Sequence, residues 1–342
     1  MVGWWIAMAA CSSAPEAVAP APAPVAPAAR RGRRDDPDDD AGRPERRRPD
    51  LARFEAPADP CGELDRSGVF TVDVSFEGKE WTSLLYVPPG PGPRDLVVVL
   101  HGGDGTPEKI LAQTDFEQAA AGHRVAVLAP ASAEVPGHEG RHWNSGNHPE
   151  GEVGGRDDVA YLDTVAAAVA PQVCAKRILA AGFSNGGQMA HRWACQGKQP
   201  VALLSAAGRL LVPPSTCTQR PFLGYVGTLD PNFDRTPHDG PNQVSVKETF
   251  DLWAKINGCK GESEADPKDA QCRVGTGCAE PTELCILPGL HHAWPSPHNR
   301  KKPTDTDASV DGLAWFQALP GGGGAPDAPA PDEGRGRGRK RR

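Results

Sequence analysis

The sequence has no run approaching the ~20 consecutive apolar residues of a membrane-spanning helix, which excludes a polytopic membrane protein. Positive charge is not in excess either. The 37 Lys and Arg face 44 Asp and Glu, a net charge of −7, which argues against a dedicated nucleic-acid binder. No internal repeat is visible. A zinc-ligand pattern is also missing: His138, His142 and His148 occupy a Gly/Pro-rich loop with no helical pitch and no cysteine pattern nearby, so no metal is expected. The glycines of His101-Gly102-Gly103-Asp104-Gly105 lack the βαβ setting and full glycine set of a dinucleotide fingerprint, and no cofactor is expected.

What the chain does contain is 39 glycines, 36 prolines and nine cysteines in 342 residues. The glycine and proline require unstructured linker somewhere, and the length allows one large domain or two small ones. So many cysteines point to an oxidising compartment outside the cytoplasm. Residues 1–11 have the layout of a bacterial lipoprotein signal, with Ala9-Ala10 before Cys11 as the candidate lipidation site. Lipidation there would leave eight cysteines, suited to as many as four disulfides. Residues 12–60 are expected to be linker, first Ala/Pro-rich and polyproline-like, then a charge block with as many arginines as acidic residues. Residues 321–342 are expected to form a Gly/Pro-rich basic tail. Residues 61–320 remain for the folded domain.

Within that domain strand and helix patterns alternate. Residues 69–76 and 81–87 predict a hairpin about Gly78. Residues 96–100 (LVVVL) and 125–129 predict strands buried on both faces. Helices are expected over 108–121, 157–170, 185–195, 244–257 and 309–319. Further strands are expected at 178–181, 201–206, 222–226 and 284–287. A hairpin followed by this alternation predicts an α/β fold with a mostly parallel twisted sheet and helices on both faces.

The candidate chemistry lies at strand ends. Gly182-Phe183-Ser184-Asn185-Gly186 is a Gly-x-Ser-x-Gly string between a strand and a helix, the setting of a nucleophile elbow. Small residues two positions to either side are required, because a Cβ there would strike neighbouring backbone. A serine hydroxyl needs a base and an orienting carboxylate. Asp230 ends the strand pattern at 222–226, with Asp234 a second candidate in the same loop. His292 follows the strand at 284–287, with His291 as the alternative, and spacing to Trp294-Pro295 favours His292. The order Ser, Asp, His is that of α/β-hydrolases. Backbone N–H groups of Asn185 and Gly103 are candidates for an oxyanion hole, and Trp143 and Trp294 for an aromatic wall against substrate, although a packing role suits them equally. Among the cysteines, Cys195 with Cys217 is a plausible pair. Cys61 or Cys174 would find a more distant partner, and Cys259, Cys272, Cys278 and Cys285 would staple the loop carrying His292.

Six motifs then carry a resemblance. They are Leu100-His101-Gly102, Asp157-Asp158-Val159, Gly182-Phe183-Ser184-Asn185-Gly186-Gly187, Gly227-Thr228-x-Asp230, Trp253-x-x-x-Asn257-Gly258-Cys259 and His292-x-Trp294-Pro295. Over roughly residues 61–316 the chain resembles the secreted α/β-hydrolase esterases grouped with polyhydroxybutyrate depolymerases and feruloyl esterases, LpqC-like lipoproteins among them. The resemblance implies an α/β-hydrolase fold, with Ser184 matching the nucleophile, Asp230 the acid and His292 the base. It also implies ester substrates, polymeric or small, outside the cytoplasm; membrane contact is expected only through the lipid on Cys11. A peptidase or lipase on the same fold, or an inactive envelope-binding protein, are the competing expectations.

Overall fold

In the computed structural model the apolar runs of the sequence become the strands of one large sheet. It describes residues 51–320 apart from 63–65, 93, 136–139, 147–154, 235–243 and 300. The expected signal with Cys11, the linker up to residue 50, the tail at 321–342, His138 and His148 lie outside the described residues.

Strands β1 (Gly68–Phe76) and β2 (Lys79–Val87) pair antiparallel from Gly68↔Val87 to Phe76↔Lys79. Glu77 and Gly78 both take positive φ, 51° and 73°, as the tight turn of a two-residue hairpin demands. Strand β3 (Arg94–Leu100) is buried throughout. The single helix expected over 108–121 is two, α1 (Pro107–Thr114) and α2 (Phe116–Ala121). Asp115 breaks them apart at φ 50°, a left-handed turn that lets Phe116 point into the core. Strand β4 (Val125–Ala129) follows, then a short ribbon of β5 (Ala133–Glu134) with β6 (Arg141–His142) inside the expected loop.

Helix α3 (Asp158–Val169) is capped by Asp157, whose carboxylate accepts from Val159 and Ala160 N–H. Strand β7 (Ala175–Phe183) leads into α4 (Asn185–Gln196), then β8 (Ala202–Ala206) and β9 (Phe222–Gly227). Helix α5 (Val246–Ile256) begins with a Ser245/Glu248 capping box. Strands β10 (Gly261–Ala265), β11 (Gln271–Thr276) and β12 (Thr282–Leu287) precede α6 (Ala308–Ala318).

Among the described residues the main sheet runs β1-β2-β4-β3-β7-β8-β9-β12-β11-β10. Its centre, from β4 to β12, is parallel, and its two flanks are antiparallel. Alternation sorts the core into two layers. Leu96, Val98 and Leu100 join Leu162, Trp193 and Trp253 of α3, α4 and α5 on one face. Val97 and Val99 join Ile110, Phe116 and Phe316 of α1, α2 and α6 on the other. No helix of the described residues is long and apolar enough to cross a membrane.

The fold begins earlier than the expected boundary at residue 61. Phe54 N–H donates to Thr71 O (2.8 Å), Thr71 N–H donates to Ala52 O (3.0 Å), and the Phe54 ring packs on Phe70 at 5.5 Å. A buried aromatic inside the charge block thus pins residues 51–54 along β1. Among the described residues four disulfides are formed: Cys61–Cys174, Cys195–Cys217, Cys259–Cys278 and Cys272–Cys285. Cys61 and Cys174 are therefore each other's distant partner, 113 residues apart.

Candidate active site

The parallel strands deliver their following loops to one rim. Ser184 follows β7, Asp230 follows β9, His292 follows β12 and His101 follows β3. Ser184 has φ 53° and ψ −118°, a conformation costly for a residue with a side chain (~1–3 kcal/mol) and held here by its neighbours. A Cβ on Gly182 would stand 2.3 Å from Gly186 O, and one on Gly186 would stand 2.1 Å from Leu100 O. Both glycines are thus required for β7, α4 and β3 to approach so closely. Gly227 acts likewise between the acid and histidine loops, since a Cβ there would stand 2.0 Å from Leu290 O. Leu229 N–H donates to that same Leu290 carbonyl (3.0 Å), tying the two loops together.

Three side chains meet at this rim. His292 Nε2 lies 2.8 Å from Ser184 Oγ, and His292 Nδ1 lies 2.8 Å from Asp230 Oδ2. The Asp230 side chain is fully buried, whereas that of His292 is 23% exposed. Asn232 N–H donates to the other carboxylate oxygen, Oδ1, at 2.7 Å. The carboxylate assigns the ring proton to Nδ1, which leaves Nε2 to accept from the Ser184 hydroxyl. The Phe183 ring packs beside the imidazole at 4.9 Å. Asp234 is not at this centre and pairs instead with Lys247 at 3.3 Å. His291 is exposed.

The glycine loop after β3 passes between the serine turn and β6. A Cβ on Gly102 would stand 3.5 Å from Ser184 Cβ, and one on Gly103 would stand 2.7 Å from His142 Nε2. His142 in turn faces Asp104, with Nδ1 3.6 Å from Oδ1. Asn185 opens α4, so its N–H is among those that have no intrahelical acceptor.

Neither tryptophan forms the expected aromatic wall. Trp143 is fully buried, and its indole N–H donates to His101 O at 2.9 Å. Trp294 is 1% exposed, with its indole N–H on Ser309 Oγ (3.1 Å) and its ring against Phe116 at 5.6 Å. Both belong to the packed layers rather than to an open wall. Sequence reasoning also passed over His101 itself. Burial lowers its pKa to about 4, its Nε2 accepts from Ser132 N–H (3.2 Å), and its Nδ1 donates to Gly102 O (2.7 Å). Its appearance in Leu100-His101-Gly102, directly after a buried strand, was the available signal. Among the described residues, Cys272, Glu283 and Cys285 cluster closely enough to suit a metal ion, but the two sulfurs are bonded to one another.

The fold recurs in a known structure. Acetyl xylan esterase from Aspergillus awamori superposes with a TM-score of 0.52 at 14% identity, covering 72% of this chain and 99% of that one. The chain has the α/β-hydrolase fold. Two sequence relatives of the chain carry esterase names. Feruloyl esterase B of Piromyces equi is 30% identical over 157 residues, which is 40% of this chain. The matched stretch spans only 29% of that relative's length. NocK, a candidate esterase of Nocardia uniformis subsp. tsuyamanensis, is 28% identical over 85% of this chain and 87% of its own. No protein-family profile matches the chain.

Proposed function

We propose that the chain is a serine-dependent carboxylic ester hydrolase. The observation that carries the reading is the hydrogen-bonded series Ser184–His292–Asp230, with both links at 2.8 Å. Ser184 Oγ attacks the ester carbonyl while its proton passes to His292 Nε2. Negative charge on the tetrahedral oxygen is met by the N–H groups of Asn185 and Gly103, fixed donors that need no reorientation. Collapse breaks the C–O bond, the departing alcohol takes the proton from Nε2, and the acyl group stays on Ser184. Water then attacks with His292 again as base, which releases the acid and restores the serine. Asp230 holds the imidazole tautomer and stabilises imidazolium.

The relatives named for feruloyl and acetyl xylan esters favour acylated polysaccharide esters as substrates, with polyhydroxyalkanoate and small esters as the further classes. Four disulfides fit a working place outside the cytoplasm, either secreted or held by lipid on Cys11. Purified full-length protein is to be assayed on p-nitrophenyl acetate, methyl ferulate, acetylated xylan and polyhydroxybutyrate. Turnover of at least one ester is expected, with a loss on the order of 10⁴-fold or more in Ser184→Ala. Equal turnover by Ser184→Ala would remove this serine from the reaction.

A further inference from the structure

Residues 143–145 form a strap between the start of α4 and the loop after β3, and one residue of that strap grips both. Trp143 N–H donates to Asn185 Oδ1 (2.8 Å), while Asn185 Nδ2 donates to Trp143 O (3.2 Å) and to Ser145 Oγ (3.3 Å). The indole of the same Trp143 donates to His101 O (2.9 Å), and its ring packs on the His101 ring at 5.2 Å. Outer anchors hold the strap in place. Asn144 N–H donates to Asp158 Oδ2 (2.7 Å), Arg192 Nη1 donates to Asn144 O (2.6 Å), and Ser145 Oγ donates to Gln188 Oε1 (3.2 Å). Asp158 is itself fixed by buried Arg156 at 2.6 Å. Asn185, Gln188 and Arg192 fall on one stripe of α4, so the helix clasps the strap along two turns.

The two proposed oxyanion donors belong to separate elements, α4 and the loop after β3. The β3–β7 ladder ends at Leu100↔Gly182, just short of both. Beyond that point Trp143 bridges them, through its backbone to Asn185 and through its indole to His101. We infer that Asn185, through its carboxamide, and Trp143, through its indole, are positioning residues that set the separation of the two amide donors. The inference rests on the esterase reading above. It gives Trp143 a role in catalysis without substrate contact, in keeping with its complete burial.

Steady-state kinetics on p-nitrophenyl acetate, with melting curves alongside, would compare wild type, Asn185→Ala, Trp143→Phe and Trp253→Phe. The last removes another buried indole bond, to His191 Nδ1 at 2.9 Å, outside the strap. A misplaced donor costs on the order of 10² in rate, so Asn185→Ala and Trp143→Phe should each lose about 10²-fold in kcat. Their KM should stay within about threefold of wild type, because the ground state is bound elsewhere. Trp253→Phe should melt earlier yet keep its kcat. Trp143→Phe retains most of the ring and carries the test should Asn185→Ala fail to fold. Folded strap variants with kcat within about twofold of wild type would overturn the inference alone. A folded wild type with no ester turnover would overturn the esterase reading and the inference together.

Discussion

At the scale of single residues the proposed chemistry rests on small distances. Asp230 is buried, accepts from Asn232 N–H through one oxygen and faces His292 Nδ1 through the other. An amide in its place would still fill the space but would turn the imidazole to the wrong tautomer. Asp230→Asn is therefore expected to lower kcat by roughly 10⁴-fold while the protein stays folded. Activity within about tenfold of wild type, measured on a folded variant, would show that the carboxylate does not set the tautomer. The positions that converge were legible because each ends a recognisable strand and each sits in a short motif. Glycines at 182 and 186 were legible for the same steric reason that the structure displays. The tryptophans were not. Trp143 and Trp294 stand beside glycine- or proline-containing loops in sequence, and only tertiary packing decides that both rings turn inward.

Elements were most legible where burial shaped the pattern. Every expected strand and helix exists, with ends moved by a few residues and one helix split at Asp115. Besides the short β5–β6 ribbon, the strands not expected are β10 and β11, and they show why. GESEA is exposed at every position, and QCRVGT buries only Cys272 fully, so neither carries the alternation that burial imprints. Ladder hydrogen bonds hold them, together with cross-strand Cys272–Cys285 and the Cys259–Cys278 link. Helix α4 makes a different kind of prediction. His191, fully buried on it, has its pKa lowered to about 3 by desolvation and accepts from Trp253 Nε1 at 2.9 Å. The folded protein keeps this ring neutral while the unfolded chain takes up a proton below an ordinary value of about 6.5. Its contribution to stability is thus complete above that value and is lost as pH falls toward 3. His191→Gln lacks this proton linkage. Urea unfolding at pH 7 and 5 should show the wild-type margin over the variant shrinking by about 2 kcal/mol on acidification. A margin that does not change with pH would mean that His191 is not held neutral.

For the whole molecule, the arrangement depends on bringing chain positions 184, 230 and 292 to one rim. Strand order does this by setting β7, β8, β9 and β12 side by side and parallel. The frame is tied at its far points. Cys61–Cys174 closes the chain before β1 onto the approach to β7. Arg177 bonds Asp95 through two nitrogens, at 3.1 and 2.7 Å, and Leu319 O at 3.2 Å, joining β7, β3 and the end of α6. Such a buried pair is costly to break, because removing one partner strands a charge. Within this frame the central claim is that Ser184 is an activated nucleophile. The most direct measurement is reaction of the folded, disulfide-intact protein with a fluorophosphonate, followed by mass spectrometry of its peptides. A single phosphonyl adduct is expected on Ser184, absent from Ser184→Ala and slowed in Asp230→Asn. A folded protein that gains no adduct, or gains one elsewhere, would contradict it.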